Sequence, residues 1–138
     1  MQVLRGIDPR WYVVPVRVVM GLILIWAGFS KLSNLGGTAG FFGQMGLPAP
    51  EVMAPLIGGL ELIGGIMLLV GFATRWIALV FVLQFLILAF VITMPRSGWN
   101  GARLDLMMLA GALTLAMAGA GAASVDETMA RKRAGVAR

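Results

Sequence analysis

The chain has 138 residues, of which 59% are hydrophobic and 12% charged, with a mean hydropathy of +0.92. That balance excludes an ordinary water-soluble domain, which needs a polar exterior, and points to an integral membrane protein. The absence of cysteine and histidine excludes disulfides, thiol redox chemistry, iron–sulfur ligation and the usual haem, zinc or copper ligands, and the formal charge of +5 does not argue for nucleic acid, because four of the eleven basic residues lie in the last eight positions, where topology and anionic lipid account for them.

In chain order, a polar start carrying Arg5, Asp8 and Arg10 ends at Trp11-Tyr12, an aromatic pair suited to the headgroup level. A first span is predicted over residues 12–32. It is too long for the apolar part of a signal peptide and has no convincing cleavage site, so it reads as a retained helix. Residues 33–51 are rich in glycine and bounded by Gly and Pro, yet Phe41, Phe42, Met45 and Leu47 are too apolar for a free loop. The segment reads as an interfacial piece or half-helix folded over the bundle. A second span is predicted over 52–72, a third over 76–94 and a fourth over 104–121, with a turn-rich loop at 95–101 and a polar, basic tail over 124–138, helical or disordered.

These elements predict an all-α fold: one transmembrane four-helix bundle with no second domain. Four spans put both termini on one side. Arg5, Arg10, Arg75, Arg131, Lys132, Arg133 and Arg138 lie on that side, against Lys31, Arg96 and Arg103 on the other, which predicts cytoplasmic termini.

Glu61 is the organising residue. It falls near the middle of the second span, where a charge costs several kcal/mol unless it is paired or protonated. Ala54, Gly58, Glu61 and Gly65 share one helix face, and three of the four are small, so another backbone can approach at the level of the acid. On the first span Arg17, Gly21, Leu24, Gly28 and Lys31 form one stripe. Aligning the span edges places Arg17 roughly 9 Å in depth from Glu61 and Lys31 roughly 12 Å away, so an Arg17–Glu61 pair is expected, with Lys31 matched to Glu51 or Asp105.

On the fourth span Asp105, Leu109, Ala112, Ala116 and Gly119 share a face, and Lys31, Glu51, Arg103 and Asp105 are expected to cluster at the outer mouth. The third span carries Gln84 in a bulky apolar background and is expected to be the most lipid-exposed. Trp26 and Trp99 are placed where they can lie against a flat ligand. Structural readings stand beside these: Arg17 and Lys31 can snorkel to opposite headgroup layers, Arg103-Leu104-Asp105 can be a helix start, and Glu61 can belong to a purely structural ion pair.

Arg17 and Gly21, then Trp26-Ala27-Gly28-Phe29-Ser30-Lys31-Leu32, Phe42, Gly46-Leu47-Pro48, Glu61-Leu62-Ile63-Gly64-Gly65, Leu68 to Arg75, and Gly119-Ala120-Gly121 before Ser124-Val125-Asp126 together resemble the DoxX family of small four-helix membrane proteins. The resemblance runs from Val16 to Asp126 and lies in the order and spacing of individually degenerate motifs. It implies a bacterial plasma (inner) membrane protein working beside a quinone-linked oxidoreductase or electron-transfer complex, with other membrane or soluble subunits as partners. No metal or haem is expected on this chain, so a diffusible quinone is the cofactor implied. Its carbonyls need donors, which Arg17 or Lys31 can supply, and Glu61 is the candidate proton donor. Arg17, Trp26, Lys31, Glu61, Arg103 and Asp105 are thus the candidate ligand-binding residues. The alternatives are a non-enzymatic membrane anchor or assembly subunit, and with less support a small transporter. The glycine faces leave a homo-oligomer open.

Overall fold

The computed structural model describes residues 6–136, so Arg5 and Arg138, counted in the charge bias, lie outside the described residues. The described residues are helical, without strands. A short 3-10 turn, Pro9–Trp11, leads into α1 (Val14–Ser33). Next come α2 (Leu35–Gln44), α3 (Pro50–Val70) and α4 (Thr74–Ile87), which a π segment (Leu88–Thr93) joins to α5 (Met94–Ala118), and α6 (Val125–Val136) closes the chain. Three stretches are long and apolar enough to cross a membrane: Pro9–Ser33, Pro50–Val70 and the 45 residues Thr74–Ala118.

Helix boundaries follow local chemistry. Asn34 breaks α1 with an extended backbone and caps α2 by accepting from the Gly37 amide at 3.0 Å. The glycine-rich connection thus folds as a helix, packed on α3 with Phe42 buried. Pro50 opens α3 at a position where a missing N–H costs nothing. Gly71, at φ 72°, closes it with paired bonds from Gly71 N to Leu68 O and from Phe72 N to Met67 O.

The turn-rich loop expected at 95–101 is a correction. Helical assignment runs through it, broken at Gly98 (φ 60°, ψ −158°), where the chain folds back so that α5 packs along α4. The fourth helix also ends at Ala118, short of the expected 121. Gly119, Gly121 and Ala123, all with positive φ, turn the chain into α6, which gives the tail a definite helix.

The core lies where α1, α3, α4 and α5 meet: Met20 and Leu24, Leu68, Ile77, Phe81 and Phe85, and Leu109, Ala112 and Leu115. Phe81, 0% exposed, lies against Gly64, where a Cβ would come within 2.5 Å of its ring. The third predicted span, expected to be the most lipid-exposed, buries one face of α4, from Thr74 to Phe85, in this core and leaves Trp76, Leu79 and Leu83 exposed on the other.

Candidate functional site

The site begins with a seam of glycines. Gly21 and Gly28 on α1 face Gly65 and Gly58 on the antiparallel α3. A Cβ on Gly28 would lie 2.3 Å from the Leu62 nitrogen and 2.6 Å from the Gly58 oxygen, and one on Gly65 would lie 2.7 Å from the Ile25 nitrogen, so the two backbones touch. This contact sets the register. Glu61 stands level with about residue 27 of α1, roughly 6 Å in depth from Lys31 and roughly 15 Å from Arg17 at the helical rise of about 1.5 Å per residue.

The ion pair expected between Arg17 and Glu61 is accordingly replaced by another. Lys31 Nζ meets Glu61 Oε2 at 2.6 Å, and Gln84 Nε2, from α4, donates to Glu61 Oε1 at 2.9 Å. Glu61 is 4% exposed, and both of its oxygens are engaged, one by a charge and one by a neutral amide. The Lys31 stem runs past Gly58, where the missing side chain leaves room for its Cβ. Gln84 Oε1 is buried and has no partner.

Asp105 on α5 has the Thr93 hydroxyl of the π segment beside it and feels the positive charge of Lys31, though no ion pair joins them directly. Lys31, Glu61, Gln84, Thr93 and Asp105 thus bring α1, α3, α4, the π segment and α5 to one polar cluster, with one cation facing two carboxylates. π turns inside helices often mark such sites, because they shift side chains out of the regular sequence of faces.

Arg17 does something else. It is 2% exposed, and its guanidinium donates to the carbonyls of Ala120, Ala122 (3.2 Å) and Ala123 (2.9 Å), while its Nε is unpartnered. It clamps the linker after α5, where a helix C-terminus leaves carbonyls unpaired and favours a cation. On the same side Asp126 accepts from the amides of Ala73 (2.8 Å) and Thr74 (2.9 Å), capping the start of α4.

The outer-mouth cluster is corrected in part. Lys31 and Asp105 are near each other, but Glu51 and Arg103 are exposed and take part in none of the ion pairs of the described residues. Trp26 and Trp99 are 73% and 67% exposed and face outward. Gln84, noted in the sequence only as the polar residue of the third span, and Thr93 are the members absent from the candidate site residues. A lone amide in an otherwise apolar span was the available signal for Gln84, since such a group has to find a partner among neighbouring helices. No comparable signal marks Thr93.

The sequence is similar to known membrane proteins. The DoxX family model matches residues 12–94. "Putative oxidoreductase CatD" of Bacillus subtilis (strain 168) is 32% identical over 111 residues, covering 80% of this chain and 81% of that protein. "Inner membrane protein YqjF" of Escherichia coli (strain K12) is 34% identical over 123 residues, covering 87% and 93%. "Uncharacterized membrane protein Rv3486" of Mycobacterium tuberculosis (strain ATCC 25618 / H37Rv) is 31% identical over 137 residues, covering 87% and 82%. No solved structure matches the chain. The match spans α1 to the start of α5, the stretch that supplies Lys31, Glu61, Gln84 and Thr93, and the chain is a membrane protein of the DoxX family.

Proposed function

We propose that this protein is a bacterial plasma-membrane subunit of a quinone-linked oxidoreductase, a single domain crossing the bilayer four times with both termini cytoplasmic. The proposed site for the quinone head group is the cluster of Lys31, Glu61, Gln84, Thr93 and Asp105. Arg17, Trp26 and Arg103 lie outside this set. The oxidoreductase role is suggested by the name of the Bacillus relative, "Putative oxidoreductase CatD", and the four crossings by the fold-back at Gly98 within a helical stretch too long for one crossing.

The observation that carries the reading is the cluster's imbalance. One ammonium bonds Glu61 and lies near a second carboxylate, Asp105, to which no ion pair joins it, and a buried acceptor, Gln84 Oε1, is left over. With both acids ionised the three charged groups sum to −1, and one added proton makes them neutral, the state hydrocarbon favours. A quinone supplies a couple in which two electrons and two protons are taken up together. The chain's donor set fits such a head group: Lys31 has N–H bonds beyond the one given to Glu61, and Gln84 Oε1 can accept from a hydroxyl. Glu61 and Asp105 are the carboxylates at hand to exchange protons with a bound head group, and Lys31 offsets negative charge beside them.

The test is quinone retention by the purified protein in nanodiscs, read by native mass spectrometry for the wild type, Glu61→Gln and Gln84→Leu. Specific retention that falls in both variants supports the reading, and no retention by a folded wild type ends it. A second reading, a membrane anchor or assembly subunit, is favoured by the way Arg17 and Asp126 fix α6 and its basic residues against the bundle. It predicts a co-purifying partner that is lost when α6 is removed.

A further inference from the structure

A cavity of about 780 Å³ lies far from the Glu61 cluster, where the 3-10 turn before α1, the end of α3 and α6 meet. Its wall has two characters. Arg10, Arg131 and Lys132 line one part, and Trp11, Val125 and Met129 another. The one acid among its lining residues, Glu127, uses a single oxygen to hold Arg10 Nη1 at 2.8 Å and Arg131 Nη2 at 2.7 Å, which fixes both guanidiniums at the cavity. Lys132 takes part in none of the ion pairs of the described residues, so the lining carries a net charge of +2, which becomes +1 once Asp8, paired with Arg10 Nη2 at 2.6 Å, is counted.

The cavity also sits at a defined level. Trp11 and Tyr12 are about half exposed beside it, as residues of an aromatic belt are. α6 leaves Val125, Met129 and Val136 exposed next to the basic run Arg131-Lys132-Arg133, the pattern of a helix lying in the interface.

We infer that this cavity is a binding site for an anionic glycerophospholipid, its phosphate held by Arg131 and Lys132 and its glycerol end laid against Trp11 and Met129. A soluble polyanion would leave the apolar half of the wall unused, and a zwitterionic lipid would leave the cations uncompensated. The inference is independent of the quinone reading.

Protein purified in a neutral detergent is mixed with equal phosphatidylglycerol and phosphatidylcholine, and bound lipid is counted by native mass spectrometry. The wild type is expected to prefer phosphatidylglycerol, and Arg131→Gln/Lys132→Gln to lose about fivefold of that preference per charge removed. Inorganic phosphate at millimolar concentration should displace little lipid. Equal retention of both lipids, an unchanged preference in the double variant, or full competition by inorganic phosphate overturns the site. A photoactivatable phosphatidic acid crosslinked to the wild type provides a readout that does not depend on the variant folding. Labelling of the peptides holding Trp11 or Met129 supports the site, and labelling confined elsewhere overturns it.

Discussion

Replacing Lys31 by Met leaves Glu61, 4% exposed, with the Gln84 amide as its remaining partner. Breaking a buried ion pair from one side costs about 3–5 kcal/mol, and because the Lys31 side chain is 25% exposed the lower figure, about 3 kcal/mol, is expected here. Adding Glu61→Gln removes the stranded charge, so the double variant should recover to within about 1.5 kcal/mol of the wild type, a coupling of at least about 1.5 kcal/mol. The same cycle on Arg17 and Glu61 should give a coupling below about 0.5 kcal/mol, because those residues are about 15 Å apart in depth and share no partner. Reversible unfolding in bicelles, followed by tryptophan fluorescence, measures the wild type and all five variants. A coupling for Arg17 and Glu61 equal to or larger than that for Lys31 and Glu61 would refute the register on which the site rests.

Gly28→Ala should separate α1 from α3 and cost about 3 kcal/mol or more, whereas Gly59→Ala, which meets open space, should be neutral or slightly stabilising; thermal melts in detergent compare them. Asp126→Ala removes the acceptor for two amides at the start of α4 and should cost about 1–2 kcal/mol, with faster hydrogen exchange at Ala73 and Thr74. The Arg10 guanidinium beside Asp8 lowers that carboxyl from its ordinary 3.8 to about 2. Its folded value is depressed, so its contribution is present above pH 3.8 and lost as pH falls through about 2; carboxyl carbon shifts over pH 1.5–5 should show Asp8 still ionised at pH 3.

Much of the fold is legible from composition and span length, because a bilayer demands long apolar helices and little else can hide a backbone in it. The inward faces are legible too: the stripes through Arg17 and Gly28, through Gly58 and Glu61, and through Leu109 and Ala112 are buried. What hydropathy misses is register. Span edges set Tyr12 opposite Phe72, but the glycine seam shifts α3 by about one helical turn, and that shift exchanges Arg17 for Lys31 as the neighbour of Glu61. The sequence does hold a signal for the shift. Gly21 and Gly28 are seven residues apart, as are Gly58 and Gly65, and setting the two pairs opposite each other in antiparallel sense moves α3 in the observed direction, by about half of the observed shift. Thr93 reaches the site through the π segment, and Asp105 through the fold-back at Gly98, neither of which any periodicity announces.

The bend at Gly98 has a bearing on how the chain assembles. Straightened, Thr74–Ala118 would be a rod of about 68 Å, more than twice the thickness of the hydrocarbon layer. The lipid sheet therefore enforces the hairpin as firmly as any contact within it. In detergent that constraint is relaxed, and two chains that open at this residue can exchange their last long helices and reappear as an intertwined dimer.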